Sequence, residues 1–525
     1  MNIFLKNFSN NYYYSREKKK RIKSPNLLKK QKEIFKLSND IFNQLVKIFE
    51  KNCKNKHKKN FWKIYLYPWV FFFVCDITDR YNLVLDNKFN KHDFKININI
   101  GELIFNSSKE YILSFQNNKK TNYLFCNIIF NILTKKKSKI QFNPKPKIAQ
   151  KNFILKKFLL ILYKYIIPSN DFILRSFGFK SFVLNLLLYK KVLFPKIDLN
   201  INKDLDLNFR KRINIKFKRK KEIYKIINFL IPFLIPKNFI ENFDLINKNI
   251  QKYFPLSVSN IYTESSIWQE DVIRFWAGVN KSKGSNLNFF QHGGGYTEKI
   301  NSQVELEYLL SDRHFIFANK NRKKEKQYTD KIFLRIKNIN RPKNNKILFP
   351  ISFVQNFNKD FQFPKCTDFN LYYSEVFQFL DNINDDVQDN ITIRLMPNID
   401  EKNVFIKILR KRYSNLNIQI PIDNINKSLR DYKLFVGSIN STTLIQAFLS
   451  GIPSIHFLDD SYFLPKNNYK KYYDRLKKEK ILFNNGKSAA KFLNKKFRDN
   501  IYWSSNKLKY VRKDFIKNII YKNFN

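Results

Sequence analysis

Apolar residues recur along this chain in two periods, and the points where one period gives way to the other outline its elements. Val272, Phe275, Trp276 and Val279 fall at i, i+3, i+4 and i+7, which predicts an amphipathic helix running to about Ser282. Ser266 and Gln269 stand before it at capping-box spacing, and Glu270 and Arg274 can pair on its solvent side. Leu256 to Tyr262 before the helix and Leu287 to Phe290 after it are apolar runs of strand length, with Gly284 as the stop between. The pattern is strand, helix, strand. Its second strand opens directly into Gln291-His292-Gly293-Gly294-Gly295-Tyr296, at the carboxyl end, where open parallel sheets bind their ligands.

A second unit of the same kind lies downstream. Tyr432 to Gly437 reads as a strand, the hydroxyl-rich Ser438 to Thr443 as a cap, Leu444 to Ser450 as a helix closed by Gly451 and Pro453, and Ser454 to Leu458 as the next strand. Ser311 to Phe317, Lys346 to Phe353 and Thr392 to Pro397 are further strand candidates. The polar stretch after Asn319 places a domain boundary between about 320 and 345. Upstream, Gln31 to Lys51 has a helical pattern within a basic extension, residues 1–60, and Phe61 to Arg80 is a helical aromatic patch with a charged tip. Between about 95 and 240 the apolar runs are short and their period is ambiguous. The predicted organisation is an N-terminal domain over 61–330, a C-terminal domain over 345–500 and a terminal helix over 501–525. The fold class is α/β with parallel sheets.

Composition changes the picture in two respects. Lys and Arg number 98 against 43 Asp and Glu, a net charge of +55. Such an excess suggests a nucleic-acid or anionic-membrane partner. An AT-rich coding bias, which enriches Lys, Asn, Ile and Phe together and depletes Ala, is the simpler source, because the basic residues are scattered. A non-enzymatic protein that binds nucleic acid or an anionic membrane surface is therefore the alternative class of function. Cys53, Cys75, Cys126 and Cys366 lie far apart without metal-ligand spacing, which fits reduced thiols in a cytoplasmic protein and predicts no metal site. No apolar segment reaches the roughly 18 residues of a bilayer span. Phe158 to Ile167 is interrupted by Lys164, and Ile226 to Ile235 by Pro232.

The candidate chemistry gathers on the two strand-helix units. Three adjacent glycines among only 10 in the chain remove Cβ atoms where a phosphate needs to approach the backbone, although a tight turn that binds nothing uses glycine equally well. His292 can serve as general base, phosphate donor or buried structural histidine. Ser441, Thr442 and Thr443 offer hydroxyls and free N–H groups at a helix start, which suits phosphate as well as simple capping. Arg394, at a strand end, can offset leaving-group charge or sit in an ordinary ion pair. Glu305, Glu307, Asp312 and Arg313 follow the loop, and a carboxylate among them can act as base or orient His292.

At these residues the chain resembles the transferases encoded in O-antigen and other surface-carbohydrate gene clusters, which are related to GT-B-type enzymes. The resemblance runs from about Trp62 to Phe515. It rests on the aromatic segment ending in Asp79-Arg80, on Phe290 to Tyr296 with Glu307 and Ser311-Asp312-Arg313, on Ile393 to Pro397, on Asn440 to Thr443 with Gly451-Ile452-Pro453, and on Trp503. Thr297 and Gln446 depart from the family pattern, which usually has Gly and often Glu there. What the resemblance implies is a GT-B-like fold, two facing Rossmann-like domains with a final helix crossing back. It also implies a glycosyltransferase that moves a sugar or polyol-phosphate from a nucleotide-activated donor to an envelope glycan or lipid-linked acceptor. The donor is a co-substrate and no cofactor or metal is expected. His292, Asp312 and Glu307 are then the catalytic candidates. Gln291, Gly293, Gly294, Gly295, Arg80, Arg394, Ser441, Thr442 and Thr443 are the phosphate- or substrate-binding ones. The expected location is the cytoplasm, with peripheral contact at an anionic inner membrane.

Overall fold

The apolar runs assemble into two six-stranded sheets, each parallel throughout, beside a separate pair, β1 (Asn97–Asn99) and β2 (Lys139–Gln141). In the computed structural model the described residues are 24–52, 57–86, 97–135, 139–141, 161, 164–165, 171–174, 192–194, 203–218, 221–264, 266–268, 270–318, 320–328, 336, 344–352, 369–395, 404–421, 425–459, 463 and 465–520. Cys53, Cys366, Gln269 and most of Phe158 to Ile167 lie outside them.

The first sheet comprises β3 (Asp171–Leu174), β4 (Val192–Phe194), β5 (Asn260–Thr263), β6 (Asn286–Phe290), β7 (Arg313–Ile316) and β8 (Glu325–Gln327), in the order β4-β3-β5-β6-β7-β8. The second comprises β9 (Ile347–Pro350), β10 (Ile391–Arg394), β11 (Asn417–Gln419), β12 (Leu434–Gly437), β13 (Ser454–Phe457) and β14 (Leu482–Phe483), in the order β11-β10-β9-β12-β13-β14. That second order is the doubly wound one, with its switch point between β9 and β12. Every residue of β10, β12 and β13 is buried, because helices cover both faces. The α/β class with two Rossmann-like parallel sheets, in a GT-B-like arrangement, is therefore the architecture.

Several local expectations are corrected by packing. The helix over Gln31 to Lys51 is longer, Ser24–Asn52, and its inner face of Ile34, Ile41, Phe42, Leu45, Val46 and Phe49 joins the core of the first domain. The polar run after Asn319 contains β8, so the first sheet extends into it. The aromatic patch forms two helices, Lys59–Tyr65 and Tyr67–Asp86, and its charged tip is buried. The helix after β5 starts at Asp271 with Glu270 as its N-cap, while Ser266–Trp268 is a separate 3-10 turn. Its residues 271–280 are all buried, because the helix Lys59–Tyr65 packs on the side that the sequence pattern left to solvent. Gly278 lacks the Cβ that would press on Phe61 there. Arg274 thus pairs with Asp271 and Ser108 in the interior, and Glu270 faces Lys109 at 3.7 Å. Pro232 sits inside the helix Glu222–Leu234, close to its end, where Arg210 binds the carbonyls of Pro232 and Ile235 at 2.7 and 2.9 Å.

One apolar core runs through both halves of the molecule. It joins the first domain's helices to Leu444, Ile445 and Phe448, to Tyr469 and Tyr473, and to Leu508, Val511, Phe515, Ile516 and Ile519. Of the helices that supply the last three groups, Thr442–Ser450 packs on β12 and Asn467–Lys478 on β14 of the second sheet, and the terminal Asn506–Ile519 packs on both helices. A separate core fills the other face, beneath Phe369–Leu380 and Gly486–Lys496, with Trp503 anchored to it through a 2.6 Å bond to the Lys496 carbonyl. The terminal helix therefore packs where both domains meet. Among the described residues no helix is long and apolar enough to cross a membrane.

Candidate functional site

Parallel strands carry all their carboxyl ends to one edge, and both sheets turn that edge toward each other. On the first sheet the strand β6 ends in Phe290 and the loop Gln291 to Asn301 begins. Gln291 is fully buried and each of its polar groups has a structural partner. Its amide oxygen accepts from Phe317 N at 2.9 Å, its side-chain nitrogen donates to the Gly293 carbonyl at 2.7 Å, its backbone N–H bonds Phe315 at 2.8 Å, and its carbonyl takes the Tyr328 hydroxyl at 2.6 Å. Gln291 therefore latches the loop to β7 and to the residue after β8. It shapes the site from below.

His292 is half-buried, and the ring of Tyr296 stands edge-on to it with centroids 4.8 Å apart. The Tyr296 hydroxyl donates to Glu307, which also receives the Gln303 side chain at 3.3 Å. Glu307 is wholly buried, on the helix Ser302–Leu310 under the loop. Burial raises its carboxyl to about 8, with nearby Glu264 adding to the effect against the hydrogen bonds from its neighbours. His314 Nε2 lies 3.7 Å from Glu307 Oε2, yet burial lowers this imidazole to about 3, reinforced by Arg322 and Lys466. The two groups face each other as a neutral pair. Glu307 is thus linked to His292 through Tyr296.

On the second sheet, β12 ends at Gly437 and the helix Thr442–Ser450 begins with Ser441 as its N-cap residue. Ser441 and Thr443 hydroxyls bond each other at 2.7 Å, and Asn440 donates to the Tyr473 hydroxyl at 2.8 Å. Ser441, Thr442 and Thr443 all keep partial exposure. Across the switch point the Tyr372 hydroxyl receives Ser352 N at 2.9 Å and lies 3.0 Å from Ser438 Oγ, knitting the ends of β9 and β12 together. Arg394 ends β10, largely buried, with Nη1 2.6 Å from Ser428 Oγ and its carbonyl accepting from Ile351 N at 3.0 Å. It belongs to the same carboxyl edge as the Ser/Thr cluster.

The two edges touch. The N–H of Gly294 donates to the Thr442 hydroxyl at 2.9 Å. A Cβ on Gly293 would lie 3.2 Å from that hydroxyl, one on Gly294 would overlap Ile445, and one on Gly295 would overlap the Asn440 carbonyl. Gly295 also has φ +67°, the left-handed region that favours glycine. Close approach of the opposing helix start therefore accounts for Gly294 and Gly295, and leaves little room for a side chain at Gly293. A second seam runs alongside, where Lys299 and Pro465 form a bridge, Lys466 N bonds the Glu298 carbonyl at 2.7 Å, and Asn321 reaches the Tyr469 hydroxyl at 3.1 Å.

Two expected site residues stand elsewhere. Asp312 precedes β7, so it lies at the amino edge, where it pairs with Lys281 at 2.7 Å and accepts from Leu287 N at 2.7 Å. Strand polarity puts it at the opposite end of the sheet from His292. Arg80 is fully buried and binds Asp76, Asp79, Asn122 and the Phe115 carbonyl. The packing of Tyr67–Asp86 holds it in the helical layer of the first domain. Arg313 is exposed at the start of β7, and Glu305 pairs with Arg322 at 2.7 Å. Tyr372 escaped the sequence reading and Ser438 entered it only as part of a helix cap; Glu264, which follows β5 directly and is almost wholly buried at the carboxyl edge, escaped it too. Its position one residue past an apolar strand run was the available signal. Gln446 is buried in its helix.

Cys75 and Cys126 are buried and in no disulfide. No group of three or more His, Cys, Asp or Glu side chains able to hold a metal ion occurs among the described residues.

Comparison with solved structures finds TarM, 13% identical over 54% of this chain and 55% of that one, with a TM-score of 0.33. It also finds MurG of Acinetobacter baumannii, 12% identical over 53% and 73% with a TM-score of 0.30, and a UDP complex of MnaA from S. aureus, 10% identical over 80% and 97% with a TM-score of 0.32. The chain thus spans little more than half the length of TarM. No curated protein matches it. The family profile described as LIC12162 family transferase matches residues 11–523.

Proposed function

The chain belongs to the LIC12162 family of transferases, and from that premise we propose that it is a glycosyltransferase-type enzyme using a nucleotide-activated donor. The observation that carries this reading is the meeting of two parallel-sheet carboxyl edges, with His292 and the glycine loop on one side and the Ser441 to Thr443 helix start on the other. Ligands of doubly wound sheets bind at such edges, at the switch point.

In this reading the donor's phosphates lie against the helix start, where backbone N–H groups and three hydroxyls favour negative charge. Arg394 offsets the charge that grows on the leaving group. His292 accepts the proton of the acceptor hydroxyl as its oxygen bonds to the transferred sugar carbon or polyol-phosphate phosphorus. The bond to the nucleotide breaks, and its electron pair leaves with the nucleotide's phosphate. Fixed donors and dipoles do the work of a metal in this scheme. Tyr296 and Glu307 hold the imidazole in place. The acceptor is read as an envelope glycan or a lipid-linked precursor, made at the inner face of the plasma membrane.

Isothermal titration with a panel of nucleoside mono- and diphosphates tests this reading. One nucleoside diphosphate is expected to bind with a Kd between about 1 μM and 1 mM, the ordinary range for enzyme substrates, and Arg394→Ala is expected to weaken it. Absence of binding by every nucleotide in the panel would overturn the reading.

A further inference from the structure

Two helices of the carboxyl-terminal part, Asn467–Lys478 and Asn506–Ile519, pack side by side and antiparallel, joined by Tyr472 to Asn518 at 2.8 Å and Arg475 to Asp514 at 2.8 Å. Their inner faces enter the shared core through Tyr469, Tyr473, Leu476, Leu508, Val511 and Phe515. The outward stripes are a separate matter. On the first helix Lys471 and Lys478 are exposed on the side of Arg475, and Lys470 adjoins them. On the second, Tyr510, Lys513 and Lys517 fall at i, i+3 and i+7, with Lys509 beside them, and all are exposed. None of these six lysines is in an ion pair among the described residues. Asp474 is the one exposed acid on the pair, since Asp514 and Glu479 are taken up by Arg475 and Lys507.

Two large side chains with apolar surface are exposed on this part of the chain. Tyr510 is 59% exposed, with the Arg475 guanidinium 5.0 Å from its ring centroid. Ile501, on the short helix just before, is 86% exposed, far more than any other large aliphatic side chain among the described residues. An exposed isoleucine costs free energy in water and contributes nothing to a salt-dependent contact with a polyanion such as DNA. Beside lysines it has a use at a lipid surface, where apolar groups enter the headgroup boundary and long cationic side chains reach the phosphates. Peripheral attachment needs both signals together.

We propose that this face, Lys470, Lys471, Lys478, Lys509, Lys513 and Lys517 with Tyr510, together with Ile501 on the short helix that precedes it, docks the protein on an anionic phospholipid bilayer. The terminal helix packs on the helix Thr442–Ser450, with Phe515 against Phe448 at 5.5 Å, so the docking face and the candidate site share one structural element. Attachment then holds the cleft at a set orientation to the lipid surface. The surface is independent of the transferase reading, which nucleotide binding tests separately.

Sedimentation of the full-length protein with vesicles of phosphatidylcholine, with or without about a quarter phosphatidylglycerol, tests the assignment. Binding is expected to the anionic vesicles alone. Lys509→Glu, Lys513→Glu and Lys517→Glu together are expected to weaken it by at least about tenfold, and Ile501→Asp to weaken it with little change in net charge. A charge-matched control, Lys32→Glu, Lys36→Glu and Lys47→Glu on the exposed side of Ser24–Asn52, is expected to bind as wild type. Circular dichroism and thermal unfolding confirm that each variant is folded. Equal losses in the control triple would show that overall charge governs binding, and would overturn the assignment. So would undiminished binding of Ile501→Asp, or duplex DNA displacing the protein from vesicles at equal phosphate.

Discussion

The Thr442 hydroxyl accepts the N–H of Gly294 at 2.9 Å, and this one bond joins the helix start of the second domain to the glycine loop of the first. Thr442→Val keeps the shape and removes the acceptor, leaving a partly buried N–H unpaired. The expected loss is about 1–2 kcal/mol in urea unfolding. Gly295→Ala is harsher, because its Cβ would overlap the Asn440 carbonyl at φ +67° and the edges must part. Small-angle scattering is expected to show a larger radius of gyration for that variant. Wild-type dimensions and stability in both variants would mean the contact does not hold the domains.

His292 lies on the loop that meets the opposing edge, with the Tyr296 ring against it. His292→Asn is expected to lower kcat by about 10²–10⁴-fold while nucleotide affinity stays within about threefold, the pattern of a lost general base. Tyr296→Phe, which keeps the ring against His292 and loses the bond to Glu307, is expected to give a smaller loss with an altered pH profile. A His292→Asn enzyme that loses donor affinity and retains kcat would instead make His292 a phosphate ligand.

Glu307 gives stability a pH dependence whose sign follows from its environment. Burial raises its carboxyl from the ordinary 4.5 to about 8, so the folded state keeps a proton that the unfolded chain releases. The stabilisation is fully present below pH 4.5, declines as pH rises, and is gone above about 8. The slope cannot exceed about 1.4 kcal/mol per pH unit. Glu307→Gln stays neutral throughout, so wild type is expected to lose stability relative to it between pH 5 and pH 8 in chemical unfolding. Parallel curves for the two proteins would place an ionised carboxylate at this position.

Arg80 and Asp312 are expected to separate from the site residues by what their loss disturbs. Arg80→Ala strands Asp76 and Asp79 in the interior and is expected to cost about 3–5 kcal/mol, enough to unfold the first domain. Asp312→Asn breaks a half-exposed pair with Lys281 at the far edge of the sheet and is expected to cost less than about 1 kcal/mol, with kcat within about twofold of wild type. A stable Asp312→Asn protein with kcat reduced by 10²-fold or more would return Asp312 to the catalytic group.

The two strand-helix-strand units, and with them the α/β class and the loop after β6, were legible in the sequence. Period, glycine stops and hydroxyl caps are local properties, and Val272 to Val279, Gly284, Gly451 and Pro453 express them within a few residues. What an isolated pattern could not contain is which side of a helix meets another element. Arg274 and Arg80 read as solvent-facing or ligand-facing because their covering helices come from distant segments, Lys59–Tyr65 and Lys119–Leu133 among them. Asp312 read as a neighbour of His292 because twenty residues is near along the chain, whereas strand polarity sends the two to opposite edges. The glycine run was recognisable as a close-approach loop, but its partner was set by tertiary contact. Sequence spacing determined that Gly293, Gly294 and Gly295 lack Cβ atoms; the packing of Thr442 and Asn440 against them determined what fills that space.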